Sequence, residues 1–258
     1  PLAGTELCAV VEYAYSLEIL LSILGDPKFG DRLEKVIFNA LPATFSPDMW
    51  SHQYDQQVNQ VECSIRPDRN WSNNGPESNI FGLEPNYGCC TANLSQGWPK
   101  FAAHLWMKTP DKGLAAMSFS PCKIKTVVDD VNVEISVETD YPFCDQVQII
   151  VKTDRSSQFP LSLRIPTWAK GSTIFIDEVQ LDSPEPGTFY KIDHQWSENT
   201  VIILTLPMTA QLMTGYRNAM AIERGPLVYS LPIAEKWKRV NEGKQGRELP
   251  HADWEIYP

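Results

Sequence analysis

Two adjacent thiols, Cys89 and Cys90, follow Gly88 and lead into Thr91, Ala92 and Asn93. Neighbouring cysteines rarely bridge each other, because the small ring forces a disulfide away from its preferred dihedral. Two readings of the pair remain. It could be two small apolar side chains packed in a turn. It could also be two thiolates at a helix N-terminus, where the dipole and free N–H groups favour negative charge and lower a thiol pKa. Glu6 and Cys8, two residues apart near the start of the chain, are the natural partners. Together Glu6, Cys8, Cys89 and Cys90 supply four oxygen and sulfur ligands, the set a tetrahedral zinc site requires. Residues two apart do not face the same way on a regular helix. Glu6 and Cys8 could converge only from a turn or an extended lead-in, which Gly4 and Thr5 would allow. On the opposing reading Glu6 is a first-turn acid and Cys8 is core packing, since the spacing matches no standard zinc-finger pattern.

The elements that must position these residues read as helices first and strands later. Val10, Ala14, Leu17, Leu21 and Leu24 recur at helical spacing, and Gly25 supplies a stop. Asp26-Pro27 then reads as an N-cap followed by proline at the first helical position. Phe29, Leu33, Val36, Ile37 and Ala40 give the next helix its apolar face, so the two helices form an antiparallel hairpin closed by Pro42 and Pro47. From Met49 to Asn86 the pattern is irregular, which suggests a functional or covering loop. Helical spacing returns after Cys90 with Leu94, Trp98, Phe101, Ala102 and Leu105, and Pro99 predicts a break near Gly97. Beyond Gly113 short alternating runs such as Val131–Val137, Val147–Val151, Leu161–Ile165 and Val201–Leu206 predict an antiparallel β-sandwich. The expected class is therefore α+β, with a helical unit over 1–110 and a sandwich region over 111–258. A second sandwich could start after about 215.

Composition bounds the function. The chain has 258 residues, 43% hydrophobic and 21% charged, with a formal charge of −10. That balance, with no basic run, gives no electrostatic support to nucleic-acid or anionic-membrane binding. The longest apolar stretch, Leu17 to Leu24, is too short to span a bilayer. Six cysteines in a chain of 258 residues do not make a disulfide scaffold; reduced thiols, some of them ligands, fit better and favour a reducing compartment. No initiator Met or signal peptide precedes the first helix, so the chain is expected to be a piece of something longer.

The segments GTELCAVVEYAYSLE, GDPKFGDRLEKVIFNALPA, HQYDQQVNQ and FGLEPNYGCCTANLSQGWPKFAAHLW resemble the central region of glycoside hydrolase family 127. The characterised members of that family are zinc-dependent β-L-arabinofuranosidases. The resemblance extends over essentially the whole chain and is strongest from Gly4 to Trp106. It implies a partial (α/α)6 barrel followed by β-sandwich structure, a bound Zn2+ and a carbohydrate substrate. By the same resemblance Glu6, Cys8, Cys89 and Cys90 hold the zinc, Cys89 is the nucleophile, and Glu34 and Tyr54 hold the sugar. Read without it, Glu34 is a solvated helix face and Tyr54 an ordinary core aromatic.

The implied chemistry is physically reasonable. A retaining glycosidase needs a nucleophile and a general acid/base about 5–5.5 Å apart. A thiolate can replace the nucleophilic carboxylate where bound zinc keeps it ionised. The family's acid/base glutamate falls upstream of the residues present here, so this chain by itself is expected to hydrolyse essentially nothing. Glu84, five residues before Cys89, is the one nearby acid that could substitute, and a structural role suits it better. A non-catalytic module stapled by zinc, serving carbohydrate or subunit contacts, is the alternative. A zinc hydrolase acting through bound water fits less well, because such sites keep three protein ligands and an open position. Homo-oligomerisation stays open.

Overall fold

The computed structural model describes residues 4–68, 74–82, 88–215 and 218–258. Most of its regular structure is β-sheet, with few helices. Helix α1 spans Leu7–Leu24, and Val10, Ala14, Leu17 and Leu21 are buried at the expected spacing. Leu24 is not; it is 60% exposed. Gly25 ends the helix in the left-handed region (φ 61°) and returns its N–H to the Leu21 carbonyl at 2.9 Å. Asp26 caps α2 (Pro27–Lys35) by accepting from the Lys28 N–H, and Pro27 sits in its first turn. α2 continues into a π-turn over Val36–Ala40, with Leu33 and Ile37 buried against α1.

Helix α3 spans Gly88–Ala103 and runs through Pro99 without the expected break. Its packing explains why. Cys90, Gly97 and Phe101 are buried on one side, and a Cβ on Gly97 would come within 3.0 Å of the Leu41 side chain. Contact along that whole face outweighs the one backbone hydrogen bond that proline removes. By length and composition α1 is apolar enough to cross a bilayer, with a mean hydropathy of 1.7. The apolar segment is thus longer than Leu17–Leu24, but its buried side belongs to a core shared with α2 and α3.

Period-two alternation becomes strands where expected. Val131, Val133, Ile135 and Val137 point inward from the strand Val131–Glu138, as do Val147, Ile149 and Val151 from Gln146–Thr153. Six strands form an antiparallel sheet in the order 179–180, 173–176, 200–205, 146–153, 131–138, 122–128. A four-stranded sheet, ordered 188–196, 157–165, 114–116, 106–108, contributes Leu161, Leu163, Ile165 and Trp196 to the same core. One of its pairings is parallel, Leu114–Ala116 against Leu161–Leu163, so the arrangement is not wholly antiparallel. A separate three-stranded sheet spans 210–214, 220–224 and 227–229.

The polar C-terminal stretch is also structured. Lys236–Val240 and Asp253–Tyr257 form a hairpin whose second strand pairs with Phe81–Gly82, which pairs in turn with His52–Gln53. The irregular loop and the chain's last residues therefore share a sheet, and this pairing crosses the boundary expected near residue 110.

A buried ionic cluster ties α2 to the four-stranded sheet. Arg164 is fully buried beneath Gly30, where any Cβ would strike its Cδ at 2.5 Å. Its guanidinium meets Glu34 at 2.6 Å, Asp31, and the Met117 carbonyl at 2.6 Å.

A second buried acid is less well served. Glu18 on α1 is 1% exposed, and His104 Nδ1 lies 2.8 Å from its Oε2. That nitrogen also meets the Lys100 carbonyl at 2.7 Å, so Glu18 is left with no well-directed hydrogen bond. Burial pushes the Glu18 pKa up, and the charges of His104 and Lys100 offset this only in part. An acid whose folded pKa is raised binds its proton more tightly in the folded state. Stability is then fully present below the unfolded value, near 4.5, and is lost as pH rises through the folded value. Glu18→Gln is accordingly expected to melt higher than the parent at pH 8, with the difference shrinking toward pH 4.5. Melting curves across that range check this, and a variant less stable at pH 8 would contradict it.

Candidate functional site

The extended lead-in needed to bring Glu6 and Cys8 together is present. Thr5–Glu6 pairs antiparallel with Asp55–Gln56, and Glu6 itself is extended (φ −74°, ψ 148°) immediately before α1. Gly4 permits this approach, since a Cβ there would lie 2.9 Å from Asp55 Cβ. The register continues with the Leu7 N–H donating to the Tyr54 carbonyl at 3.0 Å. Tyr54 is thereby fixed beside the start of α1, 5% exposed, and its hydroxyl donates a short hydrogen bond to Glu6 Oε2. Burial raises the Tyr54 pKa, and the hydrogen bond to Glu6 raises it further, as does negative charge on Cys89. The phenol is a donor at any ordinary pH.

Packing of α3 on α1 brings the thiols to one point. Cys8 Sγ lies 3.3 Å from Cys90 Sγ, and the sulfurs of Cys8, Cys89 and Cys90 all fall within 4.8 Å of one another. Sulfurs sharing a tetrahedral zinc at about 2.3 Å would be roughly 3.8 Å apart. The donor set and spacing therefore suit a thiophilic cation. Cys8 and Cys90 are buried, whereas Cys89, in the first turn of α3, is exposed. Burial raises the pKa of Cys8 and of Cys90; a hydrogen bond with Asn93 acts the other way on Cys8. The two buried thiols, Cys8 and Cys90, keep their protons unless a cation reverses the balance, as a bound divalent metal does.

Glu6 is not part of the group of three; its carboxylate is engaged by Tyr54. Glu34 is elsewhere. It is 0% exposed, and besides Arg164 its oxygens accept from Ser118 and Tyr141, each at 2.6 Å. It is neither a solvated helix face nor a side chain with any surface to offer a sugar. Glu84 and the residues 85–87 before the cysteine pair lie outside the described residues. Two neighbours were not singled out from sequence: Asn93, bonded to Cys8, and His52, whose Nε2 lies 3.0 Å from Thr91 Oγ1. Asn93 belongs to the polar Thr91-Ala92-Asn93 run after the pair, and His52 opens the HQYDQQVNQ segment; neither place alone marks a site residue.

Residues 113–208 match the family model described as the GH127 middle domain of β-L-arabinofuranosidase. Over that segment the chain is similar to the GH127 middle domain. No curated protein matches the chain. Among solved structures, one described as a glycoside hydrolase superposes with a TM-score of 0.75 at 21% identity, covering 88% of this chain and 37% of its own. A GH127 β-L-arabinofuranosidase from Geobacillus stearothermophilus T6 gives 0.69 at 21% identity, covering 99% and 42%. A GH127 β-arabinofuranosidase gives 0.73 at 19%, covering 98% and 43%. The chain thus spans about two fifths of the length of these structures. The fold likeness extends over Cys8, Cys89 and Cys90, which lie before the segment matched to the GH127 middle domain.

Proposed function

We propose that the chain holds the nucleophile and metal site of a retaining glycoside hydrolase acting on β-L-arabinofuranosides. The reading is carried by the unequal exposure of three converging thiols: Cys8 and Cys90 are buried, and Cys89 alone can meet a substrate. The ligands would be Cys8, Cys89, Cys90 and the Glu6 oxygen not taken by Tyr54. Zinc held there would keep the thiols ionised at neutral pH. Cys89 Sγ attacks the anomeric carbon, forming a C–S bond as the bond to the leaving oxygen breaks. A general acid protonates that oxygen, then as base takes a proton from the water that displaces the sulfur and retains the configuration. Tyr54, anchored by Glu6 and within electrostatic reach of Cys89, would donate to a sugar hydroxyl. We assign the acid/base carboxylate to a longer form of the protein, along with the remainder of an (α/α)6 barrel to which α1–α3 would belong. Residues 1–110 would be barrel and 111–258 sandwich, apart from the returning C-terminal hairpin.

A second reading makes the site a metal staple without catalysis, and burial of Cys8 against Cys90 between α1 and α3 favours it. One experiment separates the two. An aryl β-L-arabinofuranoside with a good leaving group is given to a longer form of the protein, and the peptide containing Cys89 is examined by mass spectrometry. Turnover with a glycosyl adduct on Cys89, both absent in Cys89→Ser, is expected. Turnover that survives Cys89→Ser would remove the nucleophile assignment, and no turnover at all would favour the staple. The 258-residue chain alone should hydrolyse little, since general acid catalysis typically contributes about 10²–10⁴-fold.

A further inference from the structure

A cleft of about 290 Å³ lies apart from the cysteine site, between α2, the turn at 166–169 and the three-stranded sheet. Its walls include Trp168, Arg32, Thr209, Gln211 and the Lys35–Glu223 ion pair at 2.7 Å. The volume is at the low end of small-molecule sites, about the size for one or two sugar rings. Trp168 is the decisive wall. Its indole packs in part against the sandwich core, and the backbone on either side is held. Asp31 Oδ2 accepts from the Thr167 N–H at 3.0 Å and its hydroxyl at 2.6 Å, and the Ala169 N–H donates to Pro166 at 3.1 Å. Asp31 is itself fixed by the buried Arg164. A half-buried indole on so rigid a mount is a preformed stacking surface, with one apolar face available and little entropy to lose.

The polar walls narrow the ligand. Asp31 and Glu223 already have cationic partners, and Lys35 has Glu223. Among the described residues Arg32 makes no ion pair, although it stands in the last turn of α2 facing the cleft. One uncompensated guanidinium beside an indole, an amide and a hydroxyl suits a ring with an apolar face, several hydroxyls and one carboxylate. The whole chain carries −10, so an anion would be held here by local geometry rather than by the general field.

We propose that this cleft is a binding subsite for an acidic sugar, its ring stacked on Trp168 and its carboxylate paired with Arg32. The subsite does not depend on the metal reading and would stand if that failed. Calorimetric titration with trigalacturonate and with its methyl ester tests it. The acid should bind saturably and at least tenfold more tightly than the ester. Trp168→Ala should weaken both about tenfold or more, with Trp168→Phe recovering most of the loss. Arg32→Gln, at an exposed position, should abolish the preference for the acid. No saturable binding at millimolar sugar, or binding indifferent to Trp168→Ala, would overturn the subsite. Equal binding of acid and ester would overturn its acidic specificity.

Discussion

Arg164→Met is expected to destabilise the protein by about 3–5 kcal/mol, because it strands the fully buried Glu34 carboxylate and removes the cation from the partly buried Asp31. Burial alone would lower the Arg164 pKa, but the charges of Glu34 and Asp31 overcome it, so the guanidinium stays charged. Burial likewise drives the Tyr141 pKa well up, which keeps its hydroxyl a donor to Glu34. Removing the cation leaves Glu34 with only neutral donors at zero exposure. Glu34→Gln should cost less, since the amide oxygen still accepts from Ser118 or Tyr141. The double change Arg164→Met with Glu34→Gln should recover part of the loss. Denaturant unfolding of the three variants checks this. An Arg164→Met variant within 1 kcal/mol of the parent (well under the roughly 3–5 kcal/mol typical of a broken buried pair) would show that the cluster contributes little.

The second large effect concerns metal removal. If zinc joins Cys8 on α1 to Cys89 and Cys90 on α3, its binding energy is part of the folding energy of the helical unit. A strong chelator is expected to lower the melting temperature of the parent markedly. Cys90→Ala should start near that lowered value and respond no further. Cys90 is fully buried, so the truncation also opens a small cavity. The chelator arm separates the two causes, because a cavity does not respond to chelation. An unchanged melting temperature for the chelated parent would contradict the role assigned to the metal.

What could be read from sequence was local. Gly25 after an apolar helical run and Asp26-Pro27 at the next start are contained within a few residues, and both perform as expected. The alternation from Val131 to Val137 predicts its strand for the same reason. What could not be read depends on distant partners. The parallel pairing of Leu114–Ala116 leaves no mark in a short apolar run. The C-terminal hairpin reads as polar although Asp253 and Glu255 are buried, because each carboxylate is paired there, Asp253 with Arg247 and Glu255 with Lys238. Glu34 looked available because Arg164, 130 positions on, bears no sequence sign of being its partner. Pro99 is tolerated through tertiary contact at Gly97 and Phe101. The thiol cluster falls between these cases. Its residue types were suggestive, but the convergence of Cys8 and Cys90 across 82 positions came from helix packing that no spacing rule encodes.

The central proposal is one thiophilic metal held by Cys8, Cys89 and Cys90. Elemental analysis of protein purified under reducing conditions and dialysed gently tests it directly. One zinc per chain is expected in the parent, with the metal lost in Cys8→Ala and in Cys90→Ala. Folded protein free of zinc, or zinc that persists in both variants, would contradict it.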